Sequence, residues 1–197
     1  MRNKLLSRSF DYAAYWHRHQ RRKGSDVPYI AHLMAVSALV LEHGGTDVQA
    51  AGALLHDVAE DQGGRKRLRE IKRKFGKDVE QIVRDCSDSL RKDPKRKKKW
   101  KKRKKAYIER LETVKKTSLL VSCADKLHNA RATVEDSRRI GPAVWDKLNG
   151  GPEGQAWYYR EVSRVCSQRL TKEPAASLAH DLAVAVAHLE LEAAKAG

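Results

Sequence analysis

Apolar side chains in this chain recur about every three to four residues and almost never every second one, and that period confines it to a helical architecture. Ile30, Leu33, Met34, Val40 and Leu41 fall on one helical face with the small Ser37 among them, and Leu68, Ile71 and Phe75 repeat the spacing. No segment rich in β-branched residues alternates apolar with polar positions, so no strand is expected. The spacing predicts helices at 9–20, 29–43, 46–61, 66–75, 77–90, 102–115, 117–136, 154–170 and 175–194. Punctuation agrees with these limits. Pro28 opens the second helix, Gly44-Gly45 closes it, and Thr46 is the N-cap candidate for the third. Gly63-Gly64, Gly76 and Gly150-Gly151-Pro152 divide the later helices. The expected fold class is all-α, a bundle of nine or ten helices in one domain over 1–197. Its Ala-rich segment 175–195 carries Leu178, Leu182, Val186 and Leu189 as a covering helix.

A length of 197 residues is enough to bury a full core, and 41% hydrophobic residues mark a folded chain although 34% are charged. No apolar run approaches the roughly 18 residues that a membrane span needs, so no membrane partner is expected. Met1-Arg2-Asn3-Lys4-Leu5-Leu6-Ser7 lacks the apolar stretch of a signal peptide. Cys86, Cys123 and Cys166 are isolated and odd in number, as reduced thiols of a cytoplasmic protein would be. The net charge is +16, and twelve Lys or Arg residues between Arg91 and Lys105 against the single Asp93 supply +11 of it. That run is expected to be a solvated loop, with weak nucleic-acid contact or steering of an anionic substrate as its functional alternatives.

The chemistry concentrates elsewhere. The apolar stretch Ala50-Ala51-Gly52-Ala53-Leu54-Leu55 runs directly into His56-Asp57-Val58-Ala59-Glu60-Asp61. Polar groups are costly to bury unless a partner takes them up, and a divalent metal is the simplest partner for an imidazole beside carboxylates. His32 interrupts a second apolar helix, and Asp125 a third, Leu119-Leu120-Val121-Ser122-Cys123-Ala124-Asp125. Together His32, His56, Asp57 and Asp125 make a mixed nitrogen and oxygen set suited to Mn, Fe, Ni or Co, without the thiolates of structural zinc.

In this order, His…His-Asp…Asp, the chain resembles the HD-domain metal-dependent phosphohydrolases. More narrowly it resembles the hydrolase domain of the RelA/SpoT family and its stand-alone members, the small alarmone hydrolases. The blocks that carry the resemblance are Arg22-Lys23, Pro28-Tyr29-Ile30-Ala31-His32 and Ala53-Leu54-Leu55-His56-Asp57-Val58-Ala59-Glu60-Asp61. Phe75-Gly76-Lys77-Asp78-Val79 and Ala124-Asp125-Lys126-Leu127-His128-Asn129-Ala130-Arg131 complete them. The resemblance implies an HD-domain helical bundle with one Mn(II) per chain on His32, His56, Asp57 and Asp125. It also implies removal of the 3′-pyrophosphate from guanosine tetra- or pentaphosphate, the alarmones of the stringent response.

Glu60 and Asp61 match the family's catalytic pair, which positions or deprotonates water and assists the leaving oxygen. Arg22 and Lys23 match its basic pair beside the site, and Asn129 matches an asparagine that contacts the nucleoside. The loop from Arg22 to His32 differs in length from that of the long enzymes, which leaves open which of the two basic residues takes the functional place. In 149–160, which resembles bacterial stand-alone members, Trp157, Tyr158 and Tyr159 are candidates to stack on guanine, Tyr158 foremost, or to fill the core. Two other functions stay open: phosphohydrolysis of another nucleotide, such as NADPH at its 2′-phosphate, and nucleic-acid binding on an HD scaffold. Oligomeric state is open.

Overall fold

The computed structural model describes residues 4–91 and 98–196, and among them there are eleven helical segments and no strand. In chain order these are α1 (Lys4–His17), α2 (Tyr29–Glu42), α3 (Asp47–Leu55), α4 (Val58–Gln62), α5 (Gly64–Phe75) and α6 (Lys77–Cys86). They continue as α7 (Trp100–Leu111), α8 (Lys116–Ile140), α9 (Ala143–Asp146), α10 (Gly151–Arg169) and α11 (Ala175–Ala194). The all-α class stands, and α11 has the limits that its spacing predicted.

Several boundaries move, each for a local reason. The expected helix 46–61 is two helices, because the chain turns at His56-Asp57 and restarts at Val58. Its start is as read: Thr46 accepts a hydrogen bond from the Gln49 amide while Gln49 Oε1 takes the Thr46 amide, a capping box. The helix expected at 77–90 stops at Cys86, where Ser87 turns extended. The helix expected at 117–136 runs on to Ile140, since nothing breaks it before Gly141. The first helix occupies Lys4–His17 rather than 9–20, and the short α9 was not foreseen. The basic run is not a single loop, for Trp100 to Lys105 lie in α7; its residues 92–97 fall outside the described ones.

Two apolar cores hold the bundle. One gathers α1 with α3, α5 and α6 around Leu33, Leu55 and Ile71; the other gathers α7, α8, α10 and α11 around Leu119, Leu127, Leu178 and Leu182. A fully buried leucine of this kind contributes about 1.5–3 kcal/mol relative to exposure. Helices α2, α3 and α6 belong to both, because Leu33, Leu54 and Val83 face one core while Val36, Ala53 and Ile82 face the other. Close approach makes that seam possible. A Cβ on Gly52 would stand 2.6 Å from Ile82 Cγ2, so α3 and α6 meet where one of them has no side chain. Where α2 and α3 pass α8, along this seam between the cores, the polar residues of the sequence come together.

Candidate active site

His32 lies one turn into α2, His56 and Asp57 form the turn between α3 and α4, and Asp125 sits midway along α8. The ligand atoms of His32, His56 and Asp57 fall within 4.8 Å of one another. Asp125 joins them: its Oδ1 is 3.2 Å from His32 Nε2 and 3.5 Å from His56 Nε2. Asp57 Oδ2 is 3.0 Å from His56 Nε2 and 3.8 Å from His32 Nε2. Both imidazole Nε2 atoms are buried with no hydrogen-bond partner. Buried polar atoms are rarely left so, and two imidazole nitrogens converging on the carboxylate oxygens of Asp57 and Asp125 fit a divalent cation.

Surrounding residues orient each of these groups. His56 Nδ1 donates to the Ala53 carbonyl at 2.7 Å, which turns Nε2 toward the centre. His32 Nδ1 is 2.9 Å from His128 Nδ1. Burial, with His32 and Arg22 nearby, lowers the His128 pKa to about 4, so His128 is neutral near neutral pH, and the tautomer in which His32 Nδ1 donates to it is the one that leaves His32 Nε2 free. The Tyr29 hydroxyl donates to Asp57 Oδ2 at 2.6 Å. Lys126 pairs with Asp125 Oδ2, and Asn129 Nδ2 donates to Oδ1 at 2.5 Å.

Electrostatics describe a centre built for positive charge. Burial resists ionisation of Asp57, but His56 overrides it and holds the carboxyl well below the ordinary range. Asp125 is held low against burial by Lys126 first and then His56. Burial would strip the proton from His56, yet Asp57 and Asp125 together keep its pKa well above the usual histidine value. A cation entering here therefore displaces a proton from His56. His32 is pushed down by burial, as a neutral ligand requires.

Glu60 and Asp61 diverge. Glu60 Oε2 accepts the Asp88 amide at 2.6 Å, whereas Asp61 Oδ2 accepts Gln20 Nε2 at 2.7 Å. Desolvation, then Asp57, raises both, and Asp61 reaches about 7 because the nearby Asp57 and Glu60 charges add to the partial burial of its carboxyl, even though the residue as a whole is exposed. Gln20 is itself set by His17 Nδ1 and Gln62 Nε2, each 2.7 Å from its Oε1.

Beside the cluster opens a cavity of about 430 Å³ lined by Arg22, Lys23, Tyr29, His32, Asn129 and Tyr159, among others. Arg22 Nη2 donates to Asn129 Oδ1 at 2.8 Å, so both members of the basic pair reach the cavity and Arg22 also contacts the asparagine. Tyr158 does not. It is 3% exposed, packed between Tyr107 and Trp100 with Lys104 4.5 Å from its ring centre, and its neighbour Tyr159 takes the cavity wall. Adjacent helical residues point about 100° apart, so only one of the two can face inward. Trp157 packs on Trp100, with ring centres 6.3 Å apart, and is also absent from the cavity. Gln20 and Lys126 join the site beyond the sequence-based expectations: Lys126 directly follows Asp125, whereas no local signal marks Gln20.

Residues 9–154 match the HD domain family model, and the chain belongs to the HD-domain proteins. Within them it is 34% identical over 146 residues to the guanosine-3′,5′-bis(diphosphate) 3′-pyrophosphohydrolase MESH1 of Xenopus tropicalis, covering 73% of this chain and 75% of that one. A longer protein of Aquifex aeolicus, named guanosine-3′,5′-bis(diphosphate) 3′-pyrophosphohydrolase, is 31% identical over 191 residues; the match takes in 95% of this chain and 23% of that protein. The fold superposes on the solved structure of a metazoan ortholog of SpoT that hydrolyses ppGpp, with a TM-score of 0.63 and 26% identity. That alignment covers 100% of this chain and 95% of the other. The resemblance to the stand-alone RelA/SpoT-type hydrolases holds along the chain.

Proposed function

We propose that the protein is a metal-dependent 3′-pyrophosphohydrolase of guanosine alarmones, converting guanosine tetra- or pentaphosphate and water to GDP or GTP and pyrophosphate. One observation supports it above the rest: two unpartnered buried imidazole nitrogens converge with Asp57 and Asp125 beside a cavity that offers Arg22 and Asn129. His32, His56, Asp57 and Asp125 would hold one Mn(II), which supplies Lewis acidity toward the phosphoryl oxygens and lowers the pKa of water.

The remaining work falls to the chain's own groups. Arg22 and Lys23 bind the anionic phosphates, Arg22 in the bidentate manner open to a guanidinium. Asn129 and Tyr159 hold the nucleoside, the tyrosine by its ring face. Asp61, with a pKa raised to about 7, is suited to take a proton from water near neutral pH, and a nearby dication lowers that value. Water adds to the phosphorus on O3′, the P–O3′ bond breaks, and the leaving oxygen takes up a proton with help from Glu60 and Asp61. The whole reading is of one domain acting in the cytoplasm; among the described residues no helix is long and apolar enough to cross a membrane.

The test incubates purified protein with guanosine tetraphosphate, other 3′-pyrophosphorylated nucleotides, NADPH and dNTPs, with Mn(II) and then with chelator. Pyrophosphate released from the guanosine alarmones alone, and lost with chelator and in His56→Ala, is the expected result. Orthophosphate from NADPH as the only product would overturn it.

A further inference from the structure

Part of the basic run does not stand alone. A concavity of about 710 Å³ is walled on one side by Arg65, Arg69 and Lys72 of α5, which recur one turn apart on a single face. Lys98, Arg103, Arg84 and Arg91 line the same concavity. The acids that line it are already engaged. Glu80 pairs with Arg84, Asp88 pairs with Arg103 and Lys104, and Asp85 accepts from Ser118 and Gln81. Among the described residues Arg65, Arg69, Lys72, Arg91 and Lys98 pair with no carboxylate, and all five are exposed. Gathering five uncompensated cations around one concave wall raises their mutual repulsion and focuses a positive field outward. An anionic partner relieves both.

The chemistry of the wall narrows that partner. No aromatic residue lines the groove, so it lacks the stacking platform on which single strands lay their bases. Exposed Lys66 and Arg73 on α5 and Lys101, Lys102 and Lys105 on α7 add positive charge beyond the groove, more than a small anion would use. We infer that this groove between α5 and α7 binds the phosphate backbone of a base-paired nucleic acid without reading its sequence. The groove is lined by none of the residues of the metal cluster or its cavity, so the inference stands or falls apart from the hydrolase reading.

The experiment measures anisotropy of a labelled RNA duplex of about 20 base pairs across a salt series. Its comparison arms are the single strand, a scrambled duplex, and inorganic tripolyphosphate as competitor. Five phosphate contacts predict a log–log salt slope of about −4.5, with dissociation constants on the order of 10⁻⁶ to 10⁻⁴ M near physiological salt. The triple substitution Arg65→Gln, Arg69→Gln, Lys72→Gln should reduce the slope by about 2.7, while the scrambled duplex binds equally. Hydrolase activity and helical circular dichroism should be unchanged in that variant; if it unfolds, the pair Arg91→Gln, Lys98→Gln replaces it, with a reduction of about 1.8. No binding at low salt, or a slope unmoved by the substitutions, overturns the inference. So does tighter binding of the single strand, or stoichiometric capture of tripolyphosphate that excludes the duplex.

Discussion

Replacing Lys126 with methionine separates the two duties of the positive charge beside Asp125. The ammonium pairs with Oδ2 and lies 5.3 Å from the Tyr107 ring centre, while Oδ1 of the same carboxylate faces the two imidazoles. The Lys126 side chain is only 12% exposed, so methionine keeps its length and most of its packing and removes mainly the charge. Breaking a buried ion pair from one side costs about 3–5 kcal/mol. In a domain of this size each kcal/mol moves Tm by about 2–4 °C, so the metal-stripped variant should melt about 6–20 °C below metal-stripped wild type. The sign with pH follows from Asp125. Lys126 holds that carboxyl low, so the stability it lends is present at neutral pH and fades as acid protonates Asp125. Saturating Mn(II) should narrow the gap, because a dication among the four ligands replaces the missing charge. Thermal unfolding followed by circular dichroism, with chelator and then with Mn(II), reads both gaps. Equal gaps in the two conditions would refute the reasoning and reduce Lys126 to a packing residue.

Other outcomes follow from the same geometry. In chelated protein Asp61 has its pKa raised to about 7 from the ordinary carboxylate value near 4, so stability present at low pH is lost as pH rises between them. The Tm difference between Asp61→Asn and wild type should accordingly be near zero at about pH 4 and positive above about pH 7; a difference that does not change with pH would contradict the shift. Gly52→Ala drives a methyl against Ile82 Cγ2 and should cost about 1–3 kcal/mol in urea unfolding, and Ile82→Ala, which removes that γ-methyl, should cost less in the Gly52→Ala background than alone; full stability of the single variant would remove the close-approach argument. Tyr158→Phe deletes a buried hydroxyl without a partner and should leave stability and KM nearly unchanged, whereas Tyr159→Ala should raise KM several-fold, and the reverse pattern would return Tyr158 to the cavity. Arg22→Ala should raise KM about tenfold or more in steady-state assays, and an unchanged KM would exclude it from phosphate binding.

Local sequence was enough for the helical class, the Thr46 cap, the limits of α11 and the four residues that converge on the centre. Each is written in a periodicity, a cap or a polar break in an apolar run, and such signals are carried by neighbours along the chain. It was not enough for the turn at His56-Asp57, since a helix interrupted at a polar pair has the same apolar pattern as a continuous one. Nor did it separate Tyr158 from Tyr159, because one 100° step on α10 decides which ring meets the cavity and which fills the core. Gln20 beside Asp61, 41 residues away, and Lys126 on the far oxygen of Asp125 became visible only with α1, α4 and α8 in place. The basic run changed most. Along the chain it was a solvated loop between helices, and folding set its end against a second row of cations on α5. Which elements oppose one another is a property of tertiary packing, and no spacing within a single segment encodes it.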